Sequence, residues 1–207
     1  MAADEWTGLG LKGLGAALAL VSAHAGALAQ DAEEPTLAPP VCDYGAPDPD
    51  APDELSQFDF LIGDFTITGR IWSESAWGPE IMSPRARLTG RYILGGRAIQ
   101  DEWYDRDPGF DPKSTRGVTT RIYDAKAGHW KVSWLSADVP VITRLRVAME
   151  DNVLTMRTIS PEKPNYDAVF ERDGPDRWTR TAFRTQADGS RTFLWQAIAT
   201  RIPCPTQ

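Results

Sequence analysis

The chain has 207 residues, 42% of them hydrophobic and 25% charged, and a formal net charge of −7. That length and balance suit one globular domain with appendages. The acidic excess argues against nucleic acid as a partner, since neutralising phosphates needs a basic surface, and against docking on an anionic membrane.

Residues 1–29 read as an export signal. Leu9 to Leu28 is rich in Ala, Leu and Gly, Lys12 stands ahead of its core, and Ala27-Leu28-Ala29 supplies a small-x-small site before Gln30. Asp4 and Glu5 depart from a plainly positive start, so a disordered or helical tail is the competing reading. A retained membrane anchor fits poorly, because Ser22 and His24 interrupt the apolar run. The expected location is periplasmic or secreted, with cleavage near Ala29 and Gln30 and no stable membrane insertion.

Residues 30–53 are acidic and proline-rich, and read as a solvated linker. Asp53 is placed to cap a short helical turn through Gln57. The stretch 58–72, FDFLIGDFTITGRIW, then changes character halfway. Phe58, Phe60, Leu61 and Ile62 form an apolar knot that ends at Gly63. Beyond it, Phe65, Ile67, Gly69 and Ile71 alternate with Thr66, Thr68 and Arg70, the period of a half-buried strand.

A loop over 73–84 carries Trp77, which either lids the domain or packs on its exterior. Nine further strands follow at 85–93, 97–104, 117–123, 130–136, 141–149, 153–159, 166–172, 177–184 and 192–202. Short Gly-, Asp- and Asn-rich turns separate most of them. Residues 105–116 make a second long loop. No helical period of any length interrupts the series. The pattern predicts an all-β fold over 54–204: a single antiparallel up-and-down barrel of about 8–10 strands, plugged at one end by the helical turn.

Two cysteines, Cys42 and Cys204, flank this domain. The first and last strands of a barrel are neighbours, so their flanks can meet and a disulfide is expected there. Two free thiols are the alternative. Two cysteines and one histidine beyond the leader do not make a structural zinc set.

The FDFLIG-D-F opening, the Gly95-Gly96 corner before Ile99 and Trp103, and the Tyr123-Asp124-x5-Trp130 hairpin together resemble uncharacterised bacterial domains with lipocalin-like, calycin-type barrels. The match spans about residues 55–202 and departs at Phe65, where Trp is more usual in that group. It implies a barrel and, by analogy, ligand binding. Nitrobindin-type barrels are similar and carry haem. Here His129, beside a turn, is the sole histidine after the leader, and no cofactor is expected.

Alternation assigns faces. Trp130, Val132 and Trp134 share one, as do Ile99, Asp101 and Trp103, and Phe193, Trp195, Ala197 and Ala199. Pairing across the 124–129 turn sets Tyr123 opposite Trp130 and points Thr119 and Arg121 inward; the other phase puts Val118, Thr120 and Ile122 inside. Arg180 and Arg184 share a face with Trp178, and two arginines on one strand read as outer surface. Seven of the eight tryptophans lie beyond the leader, enough to line a lumen or simply to fill it.

Three functions stay open. The first is an exported barrel holding a small hydrophobic or aromatic molecule, lined by Trp103, Arg121, Tyr123, Trp130, Trp134 and Trp195. There Arg121 either anchors a ligand carboxylate or is neutralised by Asp101. The second is a cofactor-free lyase, isomerase or hydratase with Asp101 and Tyr123 as acid and base. The third is an envelope interaction protein with a filled barrel and working loops at 73–84 and 105–116. No nucleophile elbow, HExxH, P-loop or CxxC motif is present.

Overall fold

The computed structural model describes residues 40–104, 117–137, 140–160 and 166–205, and their side chains except at 81–85 and 104. The expected export signal, the first part of the expected linker and the expected 105–116 loop lie outside the described residues.

A 3-10 helix, Asp53–Leu61, comes first. The strands are β1 Gly63–Ser73, β2 Ala76–Trp77, β3 Ile81–Ile93, β4 Ala98–Tyr104, β5 Gly117–Asp124 and β6 His129–Ser136, then β7 Ile142–Glu150, β8 Val153–Ser160, β9 Asp167–Arg172, β10 Arg177–Thr185 and β11 Arg191–Arg201. From β3 to β11 each strand pairs antiparallel with its successor. β1 pairs with β3 on one side and with β11 on the other, so ten strands close on themselves. Closure leaves no unpaired edge among them. β2 is a two-residue lash that returns along β1 through Glu74 and Ser75, both at positive φ. Asp151 and Asn152 form the same kind of two-residue turn between β7 and β8.

The helix takes in the apolar knot and is the floor of the barrel. Leu55, Phe58, Phe60 and Leu61 are all buried. Phe58 meets Trp130 edge-on at 5.0 Å and Phe170 at 5.7 Å, while Phe60 meets Trp178 at 5.8 Å. Fully burying a ring such as Phe58 contributes about 2–3 kcal/mol. The expected cap is not made: Pro52 holds the N-cap position, no side chain caps the helix, and Asp53 is its first residue.

Residues 40–52 have no regular structure, as their prolines dictate, yet they do not trail in solvent. They form a strap bound to the outside of β1, β3 and the β3–β4 corner. Asp64, 2% exposed, accepts hydrogen bonds from the Val41 amide (2.9 Å), the Tyr44 hydroxyl (2.9 Å) and the Thr89 hydroxyl. The Arg87 guanidinium stands 3.8 Å away. The Tyr92 amide donates to the Tyr44 carbonyl and the Asp48 amide to the Gly96 carbonyl. The Cys42–Cys204 disulfide ties the strap to the chain beyond β11 across 162 residues of sequence.

Two further details differ from the sequence reading, and one choice it left open is decided. β3 begins at Ile81 rather than 85, and it carries a bulge between its pairings with Thr66 and Thr68 that accommodates Pro84. Trp77 is not a lid: it packs on Trp72 at 4.9 Å and on Phe193 at 5.7 Å. Phe193 itself leaves the inner face, because the β10–β11 register slips between Ala182–Trp195 and Phe183–Phe193 and one extra residue turns it away from the lumen. No helix among the described residues is long and apolar enough to cross a membrane.

Candidate functional site

Above the floor, the inner wall carries polar groups. On β5, Thr119 and Arg121 point inward and are buried, whereas Ile122 is exposed, which decides the phase of that strand. β4 sets Ile99 beside Arg121 and Asp101 beside Thr119. Asp101 and Arg121, 3% and 6% exposed, form a buried ion pair, with the Arg121 guanidinium 5.1 Å above the Phe58 ring. Burial, and then the neighbouring Arg180 guanidinium, pull the Arg121 pKa down to about 9. It remains a cation at neutral pH, held by the Asp101 carboxylate.

Arg180 is the inner-face residue that the sequence reading placed outside. Trp178 of β10 packs on Phe60, Phe65 and Phe170 in the core. Arg180 follows on the same face, opposite Phe170 of β9 and Ala197 of β11. Its guanidinium lies 5.1 Å from the Trp195 ring, 5.8 Å from Phe170 and 6.0 Å from Tyr166. Its Nη2 has only the Met156 sulfur as a partner, at 3.8 Å, and its Nε is shielded from water without an acceptor. Arg184 does lie outside: beyond the slip in register it is exposed. The alternation with Trp178 was the signal for Arg180. The cost of burying a charge argued the other way, and the three rings around the guanidinium offset part of that cost.

Small residues flank Arg180 along its rung. Ala197 pairs with it, and Gly69 of β1 pairs with Ala197. A Cβ on Gly69 would meet one atom within 4 Å, the Gln196 carbonyl oxygen at 3.4 Å. The wall next to the cation is therefore built from small residues.

The expected site residues divide between two levels. Trp130 is fully buried in the floor and donates from Nε1 to Gln57 at 3.0 Å. Tyr123 is at the same level, edge-on to Trp130 at 5.4 Å, and its hydroxyl hydrogen bonds to Glu54. Burial first, and then Glu54, raise its pKa. Asp101 pairs with Thr119, four residues nearer the far end of β5, so the structure does not bring Asp101 and Tyr123 together. Trp103, Trp134 and Trp195 pack against the core from further up the wall and are only half-buried, as is Tyr166, which meets Trp195 at 5.9 Å. The Trp134 indole lies against Gly117, where a Cβ would overlap it. His129 closes the β5–β6 turn through an Nδ1 contact with the Ala127 carbonyl. Among the described residues no group of three or more His, Cys, Asp or Glu side chains is placed to hold a metal ion.

The fold and this interior define the class: a closed ten-stranded antiparallel barrel with an aromatic floor and a charged inner wall. No family model matches the chain, and no curated protein matches it in sequence. Among solved structures it is similar to the S-type phycobiliprotein lyase CPES from Guillardia theta, with a TM-score of 0.48, 13% identity, and 72% of this chain and 93% of that chain covered.

Proposed function

We propose that the protein is an exported small-molecule-binding barrel that holds a hydrophobic or aromatic molecule in its lumen. The observation that carries this reading is the contrast between two sets of inward aromatic residues. Phe58 and Trp130 in the floor are fully buried, while Trp103, Trp134, Tyr166 and Trp195 pack on the same core and keep part of their surface accessible. Rings left partly bare beside small residues suit a flat apolar ligand better than a sealed core. The disulfide between the strap and the C-terminal segment supports an oxidising compartment. Turnover by Asp101 and Tyr123 draws less support, since Asp101 faces Arg121 and the Tyr123 hydroxyl is bonded to Glu54.

Titrating the protein with a panel of neutral aromatic molecules tests the reading. Saturable quenching of tryptophan emission is expected, and Trp195→Ala should weaken it about tenfold while Trp72→Ala, on the outer cluster, leaves it unchanged. Quenching that never saturates, or that is lost only with Trp72, would count against a lumen site.

A further inference from the structure

We infer that the ligand is an organic anion, an aromatic molecule bearing a carboxylate or sulfonate, and that its acidic group is received by Arg180. This rests on the lumen-binding reading and narrows it to a class of molecule and an anchoring residue.

Above the floor, three charged side chains face the interior among the described residues: Asp101, Arg121 and Arg180; Arg172 and Arg201 lie at the floor and are paired with Asp59 and Asp176. Asp101 and Arg121 neutralise each other at the level just above the floor. Arg180 has no carboxylate within ion-pairing distance among the described residues, and its neighbours are rings, alanines, a thioether and, within electrostatic reach, the Arg121 guanidinium. Water molecules and cation–π contacts stabilise such a group only in part. Beyond a shielded Nε without an acceptor and a single sulfur contact on Nη2, the guanidinium keeps N–H donors and a full positive charge for an oxyanion. The residue is half-buried rather than sealed, so a molecule in the lumen can reach it.

The surroundings supply the rest of the recognition. Trp195 and Tyr166 stand against the guanidinium and present ring faces to whatever scaffold carries the acid. Ala197 and Gly69 leave the adjoining wall short of side chain. With two cations and one anion above the floor, a monoanionic guest brings that region to neutrality, whereas a cationic guest worsens the imbalance. Arg121 is the poorer anchor, because an incoming acid there must displace Asp101.

Two dyes of nearly equal shape separate the possibilities: anilinonaphthalenesulfonate, an anion, and phenylnaphthylamine, its neutral counterpart. The full chain without its leader should bind the sulfonate at least about tenfold more tightly than the neutral dye. Arg180→Met should abolish that preference, weakening the sulfonate about tenfold and leaving the neutral dye within about twofold. Arg180→Lys keeps the charge without the fork and should retain part of the preference; it also stands in if Arg180→Met does not fold by near-UV circular dichroism. If the neutral dye binds and the sulfonate binds no better, or if both variants weaken the two dyes equally, the anion assignment is wrong and the lumen site stands. If neither dye binds saturably, the lumen-binding reading itself fails.

Discussion

Leu61 and Gly90 meet backbone to backbone: a Cβ on Gly90 would overlap the Leu61 carbonyl oxygen at the end of the 3-10 helix. The floor is thus seated directly on β3, with no side chain between them, and Gly63 pairs with Gly90 at the same point. The depth to which Phe58 and Phe60 enter the barrel depends on that contact.

Gly90→Ala should therefore lift the floor and destabilise the protein by about 3 kcal/mol, the upper part of the usual overpacking range. Gly69→Ala, whose new methyl meets only an ordinary contact at 3.4 Å, should change stability by less than about 1 kcal/mol. Urea unfolding followed by tryptophan emission distinguishes them. Equal midpoints would show that the helix does not rest on β3 in this way.

Gly69→Leu should block ligand entry beside Arg180 while the fold survives. The expected result is a native thermal transition with dye binding reduced about tenfold or more. Undiminished binding in a folded Gly69→Leu variant would place the ligand elsewhere.

The strap should come loose when the disulfide is opened. Cys204→Ser, or reduction, removes a link spanning 162 residues, and such links contribute about 2–5 kcal/mol. Limited proteolysis should then cut within 40–52 well before the barrel unfolds. Asp64→Asn should expose the same segment, because the carboxylate that receives Val41, Tyr44 and Thr89 is lost. Protection of the segment in both variants would contradict the strap's dependence on these ties.

Tyr44 gives the strap an alkaline limit. Burial, then its hydrogen bond to the Asp64 carboxylate, raise its pKa above the ordinary 10.0. The folded state holds this proton more tightly than the unfolded state. Its contribution is therefore fully present below about pH 10 and is lost as pH rises through the higher folded value. Tyr44→Phe should cost about 1 kcal/mol at neutral pH and flatten the fall in stability above pH 10. A fall of unchanged steepness in the variant would assign that limb to other groups.

The Asp101–Arg121 pair should show the asymmetry of buried ion pairs. Asp101→Asn strands a buried guanidinium and should cost about 3–5 kcal/mol, while Asp101→Leu combined with Arg121→Met should cost much less. A double variant as unstable as the single one would mean that the pair shapes the wall beyond its charges.

Much of the barrel was legible in the chain because a strand with one wet face and one dry face must alternate, and because short turns force successive strands to lie side by side. The alternation of Trp130, Val132 and Trp134, and the pairing of Tyr123 with Trp130, needed no more than that. Two residues escaped for opposite reasons. Phe193 follows the alternating pattern perfectly in sequence, but one extra residue in β11 reverses its face, and a bulge has no period to betray it. Arg180 also obeys the pattern; the expectation that charge stays in water overrode it, and the aromatic rings that make its burial tolerable come from β9, β11 and the segment before β9.

The sequence by itself determined the container: the knot at 58–62 as a plug, ten strands in series, and cysteines placed where the ends of a closed barrel meet. These follow from local periodicity, turn chemistry and the adjacency that closure imposes. Only the tertiary structure decided what the container offers. Whether Asp64 is a solvated acid or the clasp of a strap, and whether Arg180 has a carboxylate partner, depends on residues tens of positions away in the chain. Electrostatic energies are set by those distances in space and by the loss of water around them, and neither is written in the order of the residues.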